Sequence, residues 1–189
     1  MADLVDLHRR AVEEFGRRVR EVGDDQWSAS TPCTDWDVRA LVNHLVGENL
    51  WTAPLLAGKT IEDLGDSLDG DLLGDDPKTV WDESAREATA AAAGLGALET
   101  TVHVSFGDIP GRDYISQLTL DHVIHSWDLA RGIGGDDKLD PELVEFAYEY
   151  FAPIAEAYRG AGATGPAVAV PDDADTQSKL LGIAGRDPR

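Results

Sequence analysis

Asp121-His122-Val123-Ile124-His125-Ser126-Trp127-Asp128-Leu129-Ala130 places a carboxylate and an imidazole four residues apart inside an apolar stretch. Tyr114, Leu118, His125 and Leu129 recur around it at helical spacing, which predicts a helix from about Arg112 to Arg131. Residues i and i+4 of a helix share a face, so Asp121 and His125 emerge one above the other. Two such donors suit one divalent cation. A third donor, His44, flanks the apolar stripe Leu41, Val42, Leu45 and Val46 of an earlier helical segment. Two ligands from one helix and one from a facing helix leave positions open, as in catalytic rather than structural metal sites.

The same residues admit a plainer reading. An Asp–His pair at this spacing can be a surface ion pair worth a few tenths of a kcal/mol, and a lone His beside an apolar stripe is ordinarily a packed histidine. The apolar context favours the metal: an unpartnered carboxylate and two imidazoles in a core cost several kcal/mol. His122 cannot share the face of His125 as well as Asp121 does. It reads as a supporting or surface residue, replacing a ligand only if the helix is rotated. Asp128 either orients a ligand imidazole or pairs locally. His8 and His103 have no such partners in sequence. Arg39 is a weak candidate for anion binding and reads better as a solvated helix arginine. Cys33 precedes a helix whose dipole could lower its pKa, but a single Cys near a Trp reads as packing.

Outward from these segments the pattern is helical. Leu4, Leu7, Ala11, Phe15, Val19 and Val22 predict an amphipathic helix over about 2–22, with Gly23 as a stop. A second helix begins near Asp35 or Trp36, with Thr34 as N-cap and Asp37 completing a capping-box-like pair, and ends near Gly58. Residues 59–76 read as an acidic loop. A third helix starts at Pro77 and runs through Ala90–Ala93. Residues 101–106 alternate weakly, as a short strand would. Asp140-Pro141 starts a helix reaching about Tyr158, and Ser178 to Ile183 form a last helical turn. The fold class expected is all-α: a four-helix bundle over about 1–158 with a C-terminal extension over 159–189, within a single domain.

The chain has 189 residues and a net charge of −20, from 16 Lys plus Arg against 36 Asp plus Glu. That field repels phosphate backbones and anionic lipid, so neither nucleic acid nor membrane is an expected partner. No apolar run approaches the roughly 18 residues of a membrane span, and Met1–Asp6 carries no signal-like pattern. One cysteine precludes an intrachain disulfide, and a cytoplasmic location is expected.

The segment Thr31-Pro32-Cys33-Thr34-Asp35-Trp36-Asp37-Val38-Arg39-Ala40-Leu41-Val42-Asn43-His44-Leu45 resembles the second-helix entry of the DinB-like metal-binding bundles. The likeness is closest to the actinobacterial branch that includes mycothiol-dependent maleylpyruvate isomerase. Asp121-x-x-x-His125-Ser126-Trp127-Asp128-Leu129-Ala130 resembles that branch's second ligand motif. Val170-Pro171-Asp172-Asp173-Ala174, Leu180-Leu181 and Gly185-Arg186-Asp187-Pro188 resemble the tail of its small members. The resemblance implies a divalent metal, often zinc or nickel, on His44, Asp121 and His125, with mycothiol as a possible co-substrate. The isomerase has a glutamate in place of Asp121, so here the metal sits nearer the helix, is bound through water, or binds less tightly. It also has a further C-terminal domain that this chain cannot hold in full. The functional expectation is a metal-dependent enzyme using a low-molecular-weight thiol on a small-molecule substrate, as isomerase or S-transferase. The alternatives are a non-catalytic metal-binding module with a stress-related or partner-binding role, and a metal-free structural bundle. A homodimer is compatible with such bundles.

Overall fold

The computed structural model describes residues 3–189, so residue 2, where the first helix is expected to start, lies outside the described residues. Among them the chain is mostly helical: α1 (Leu4–Glu21), α2 (Val38–Leu56), α3 (Ile61–Leu64), α4 (Pro77–Ala92), α5 (Gly111–Ile133), α6 (Pro141–Phe151), α7 (Ala155–Gly160) and α8 (Thr176–Ile183). Between α4 and α5 lie two strands, β1 (Thr101–Val104) and β2 (Gly107–Pro110). No helix among the described residues is long and apolar enough to cross a membrane.

α1 forms where the apolar period predicts it. Asp3 caps it, and Leu4, Leu7, Ala11, Phe15 and Val19 are buried on one face. Full burial of a side chain such as Phe15 contributes about 2–3 kcal/mol. α1 packs against α4 and α5, and α2 packs against the same two helices. α5 is the central member, with buried residues all around it from Gly111 to Ala130. Gly134, in left-handed conformation with φ of 68°, ends it. α6 packs on α5 and α8, and Leu139, Leu143, Phe151, Leu180 and Leu181 join Trp127 in a second apolar cluster.

Five sequence expectations need correction. The fold is not all-α: β1 and β2 form an antiparallel hairpin with Val102 opposite Ile109 and Val104 opposite Gly107. A lone two-stranded hairpin is marginal in water; this one buries Val102 and packs on α2 and α5. The N-cap of α2 is Asp37, not Thr34. Asp37 Oδ1 accepts from the Ala40 amide at 2.8 Å, while residues 33–36 make a tight turn closed by the Trp36 amide on the Cys33 carbonyl at 2.8 Å. Residues 59–76 are not all loop, because Thr60 and Asp63 build a capping box for α3. The helix from Pro141 stops at Phe151 instead of reaching Tyr158: Pro153 has no amide to continue the ladder, and α7 restarts after it. α8 begins at Thr176 rather than Ser178, with the Asp175 side chain accepting from the Ser178 amide.

The start of α5 depends on a glycine. A Cβ at Gly111 would lie 1.9 Å from the Ala97 carbonyl oxygen, a backbone atom that cannot rotate away. Gly111→Ala is therefore expected to destabilise the protein by about 3 kcal/mol, read as a lowered urea midpoint. A midpoint equal to wild type would show that the 94–100 turn yields freely.

Candidate metal centre

The packing of α2 on α5 brings His44, Asp121 and His125 together. Asp121 Oδ2 accepts from His44 Nε2 at 3.0 Å, and Asp121 Oδ1 lies 3.3 Å from His125 Nε2. The two imidazole centroids are 5.4 Å apart. Burial opposes charge on His125, but the carboxylates of Asp121 and Asp128 outweigh it and hold its pKa well above the usual 6.5. Burial likewise opposes charge on Asp121, and the imidazoles of His125 and His44 overcome it, holding the carboxyl well below its usual value.

His125 is nearly enclosed at 7% side-chain exposure, whereas His44 and Asp121 are open at 28% and 35%. His44 borders a cleft of about 240 Å³, which it lines with Asn43, Gly47, Glu48 and Trp51 of α2 and with Leu68, Asp69, Gly70 and Leu72. A strap of hydrogen bonds holds that acidic segment over α2. Asn43 donates to the Gly70 carbonyl and accepts from the Leu72 amide at 2.7 Å. Arg39 grips Asp71 at 2.7 Å and the Gly74 carbonyl at 2.8 Å. Arg39 is thus engaged in this strap and is neither a free anion-binding group nor merely solvated.

Beneath the donors lies a second layer. Asp128, one turn after His125, accepts from its Nδ1 at 2.9 Å, fixing the ring with Nε2 toward Asp121. Arg186, from the turn after α8, donates to Asp128 Oδ2 at 2.8 Å and to Cys33 Sγ at 3.1 Å. Cys33 is therefore more than packing: it stands in a polar cluster with His125 and Asp128. Trp36 covers the centre, its ring 4.6 Å from that of His44 and 5.7 Å from that of His125.

Three of these residues escape sequence reasoning, and only one carried a usable signal. Glu48 is one helical turn from His44 and lines the same cleft; burial and the charge of Asp121 push its carboxyl up to about 7. The i,i+4 rule that pairs Asp121 with His125 would have found it. Trp36 depends on the turn before α2, and Arg186 is 58 residues from Asp128 in sequence. His122, placed in sequence as a supporting or surface residue, is fully buried on another face. Its Nδ1 donates to the Leu118 carbonyl at 2.7 Å, and its ring approaches His8, Phe15 and Trp81. His8 has Thr119 Oγ1 as partner at 3.3 Å, and His103 donates across the hairpin to Asp108 at 2.7 Å.

The donor set fits a divalent cation. Ligands about 2.1 Å from a metal lie roughly 3.0–3.4 Å from one another in octahedral or tetrahedral arrangements. His44 and His125 meet different oxygens of Asp121, at 3.0 and 3.3 Å, and the three donor atoms lie within 4.8 Å of one another, so a small side-chain rotation brings them onto one cation. The shorter side chain of aspartate still reaches both imidazoles. Two imidazole nitrogens and a carboxylate are donors that zinc and nickel accept.

Residues 8–130, which contain all three donors, match the family of the mycothiol maleylpyruvate isomerase N-terminal domain. The chain belongs to that family. It is also 30% identical over 161 residues to an uncharacterized protein of Mycobacterium tuberculosis found in two strains, covering 85% of this chain and 84% of the relative. No solved structure matches the chain significantly. The family match ends before α6, so Arg186, which holds Asp128 from the C-terminal side, lies outside it.

Proposed function

We propose that this chain is a DinB-type four-helix bundle that binds a divalent metal, zinc or nickel, through His44, Asp121 and His125. We propose further that it is an enzyme using a low-molecular-weight thiol such as mycothiol in isomerase or S-transferase chemistry. One observation carries the reading: the three donor atoms converge to within 4.8 Å of one another, and one of them, His44, borders a cleft that also holds Glu48. Membership of the mycothiol maleylpyruvate isomerase N-terminal family supports the thiol.

A bound divalent cation lowers the pKa of a thiol or water beside it, supplying a nucleophile at neutral pH. The chain's own residues do the rest. Glu48, with its pKa near 7, accepts the thiol proton and returns it to the departing sulfur in isomerisation or to the leaving group in S-transfer. Trp36 shields His44 and His125 from water on one side, and Asn43 holds the 68–72 segment over the cleft. The thiolate sulfur then bonds to an electrophilic carbon, either adding across a double bond and leaving again after rotation, or displacing a leaving group.

Among the described residues no lysine or arginine lines this cleft, whereas Glu48 and Asp69 do, and the chain carries −20 overall. The substrate class that fits is a neutral electrophile, not a dicarboxylate. The test is elemental mass spectrometry on untagged protein, followed by thiol-dependent turnover of neutral electrophiles. Glu48→Gln is expected to keep the metal and lose about a hundredfold in turnover. Protein that stays metal-free after incubation with zinc or nickel would sink the reading. Metal without thiol-dependent turnover would make the chain a non-catalytic metal-binding module.

A further inference from the structure

His125 belongs to two donor clusters at once. Through Nε2 it joins His44 and Asp121; through Nδ1 it joins Asp128 and Cys33. In the second cluster Nδ1 lies 2.9 Å from Asp128 Oδ2, and Cys33 Sγ lies 3.7 Å from the same oxygen. Thiolate, imidazole and carboxylate are strong zinc donors, and on donor chemistry alone this cluster would compete well with the first. One residue stands in its way. Arg186 Nη2 contacts Asp128 Oδ2 at 2.8 Å and Cys33 Sγ at 3.1 Å, and its Nε meets Asp128 Oδ1 at 3.3 Å. We infer that Arg186 is a positioning residue whose guanidinium takes the place of a cation in the Cys33–His125–Asp128 cluster, committing His125 to offer Nε2, not Nδ1, to metal. The inference rests on the metal-centre reading above.

The approach of this guanidinium is built into the backbone. After α8 the Gly185 amide donates to the Gly182 carbonyl at 3.1 Å and the Arg186 amide to the Leu181 carbonyl at 2.8 Å. Those two bonds, with φ of +83° at Gly185, make a Schellman turn that directs Arg186 back toward α5. Arg186 Nη1 is anchored on the Ala184 carbonyl at 2.7 Å. Asp128 is wholly buried and Arg186 is only 11% exposed, so water does little to loosen the pair. A guanidinium does not deprotonate in proteins and cannot enter a coordination shell. It therefore neutralises Asp128 at every working pH while leaving the Nδ1–H bond of His125 in place.

Cobalt(II) titration distinguishes the two clusters, because only Cys33 gives a thiolate-to-cobalt charge-transfer absorption. Wild type is expected to bind one equivalent without that absorption, and Cys33→Ser to bind cobalt within about twofold of wild type. Arg186→Ala should acquire the absorption, and Arg186→Ala/Cys33→Ser should lose it again. Arg186→Lys, which keeps a cation over the pair, should resemble wild type. A thiolate band in wild type, or loss of cobalt binding in Cys33→Ser, overturns the inference even if the arginine variants do not fold. One equivalent without the band in both wild type and folded Arg186→Ala overturns it while leaving the metal centre standing. Absence of cobalt binding in wild type overturns both.

Discussion

His125→Ala is expected to strip the protein of metal and to lower its stability by about 2 kcal/mol. His125 supplies the most enclosed donor and bridges Asp121 at 3.3 Å and Asp128 at 2.9 Å. Breaking a buried ion pair from one side costs about 3–5 kcal/mol. The smaller figure follows because Asp121 is a third exposed and Asp128 keeps Arg186. Elemental mass spectrometry and urea unfolding of the metal-free protein separate the two effects. Metal content equal to wild type would remove the three-donor centre from consideration.

The same residue sets a pH dependence. Because the folded pKa of His125 lies well above 6.5, a cation must displace its proton at neutral pH. Affinity should rise about tenfold per pH unit for one released proton, and metal should be lost on acidification. In the metal-free protein the sign is reversed. Protonated His125 contributes stability that is complete below pH 6.5 and is lost as pH rises through the raised folded value.

His8→Phe is expected to flatten the acid side of the stability curve. Burial, with the nearby His122, lowers the pKa of His8 to about 3, against about 6.5 in the unfolded chain. Between those values only the unfolded chain binds the proton, so stability falls as pH falls. The slope is roughly 1.4 kcal/mol per pH unit for one such group. Burial likewise lowers His122, to about 4, and adds to the slope. Glu48 opposes it: its folded pKa of about 7 means that the folded chain takes up a proton first, an effect reduced by its partial exposure. Among the described residues His8 Nε2 has no hydrogen-bond partner; phenylalanine gives up the 3.3 Å contact of His8 Nδ1 with Thr119 Oγ1, which keeps its bond to the Ile115 carbonyl at 2.7 Å. Urea midpoints of metal-free wild type and His8→Phe should diverge from pH 6.5 to pH 5 by about 2 kcal/mol in favour of the variant. Parallel curves would show that His8 is reached by water and titrates normally.

Local pattern alone determined much of this protein. The apolar periods of α1, α2 and α5, the Pro77 and Pro141 starts and the Asp140 cap are nearest-neighbour effects, set by side chains within a turn or two of one another. The Asp121/His125 pairing on one helix face is of the same kind, and the candidates His44, Asp121 and His125, which the fold brings together, were named from sequence because two share a helix and the third flanks an apolar stripe. Family membership was legible in the segments around His44 and His125, which lie inside the matched residues. Tertiary structure decided the rest. Whether Thr34 or Asp37 caps α2 turned on the 33–36 turn that lays Trp36 over the centre. The hairpin at 101–110 formed because α2 and α5 give its apolar face somewhere to pack. His122 went to the core because α1 and α4 bring His8, Phe15 and Trp81 to the other face of α5. Arg186 meets Asp128 across 58 residues because α8 packs on α6 and ends in a left-handed glycine. Contacts closed over such separations depend on how whole helices dock, and no local period encodes docking.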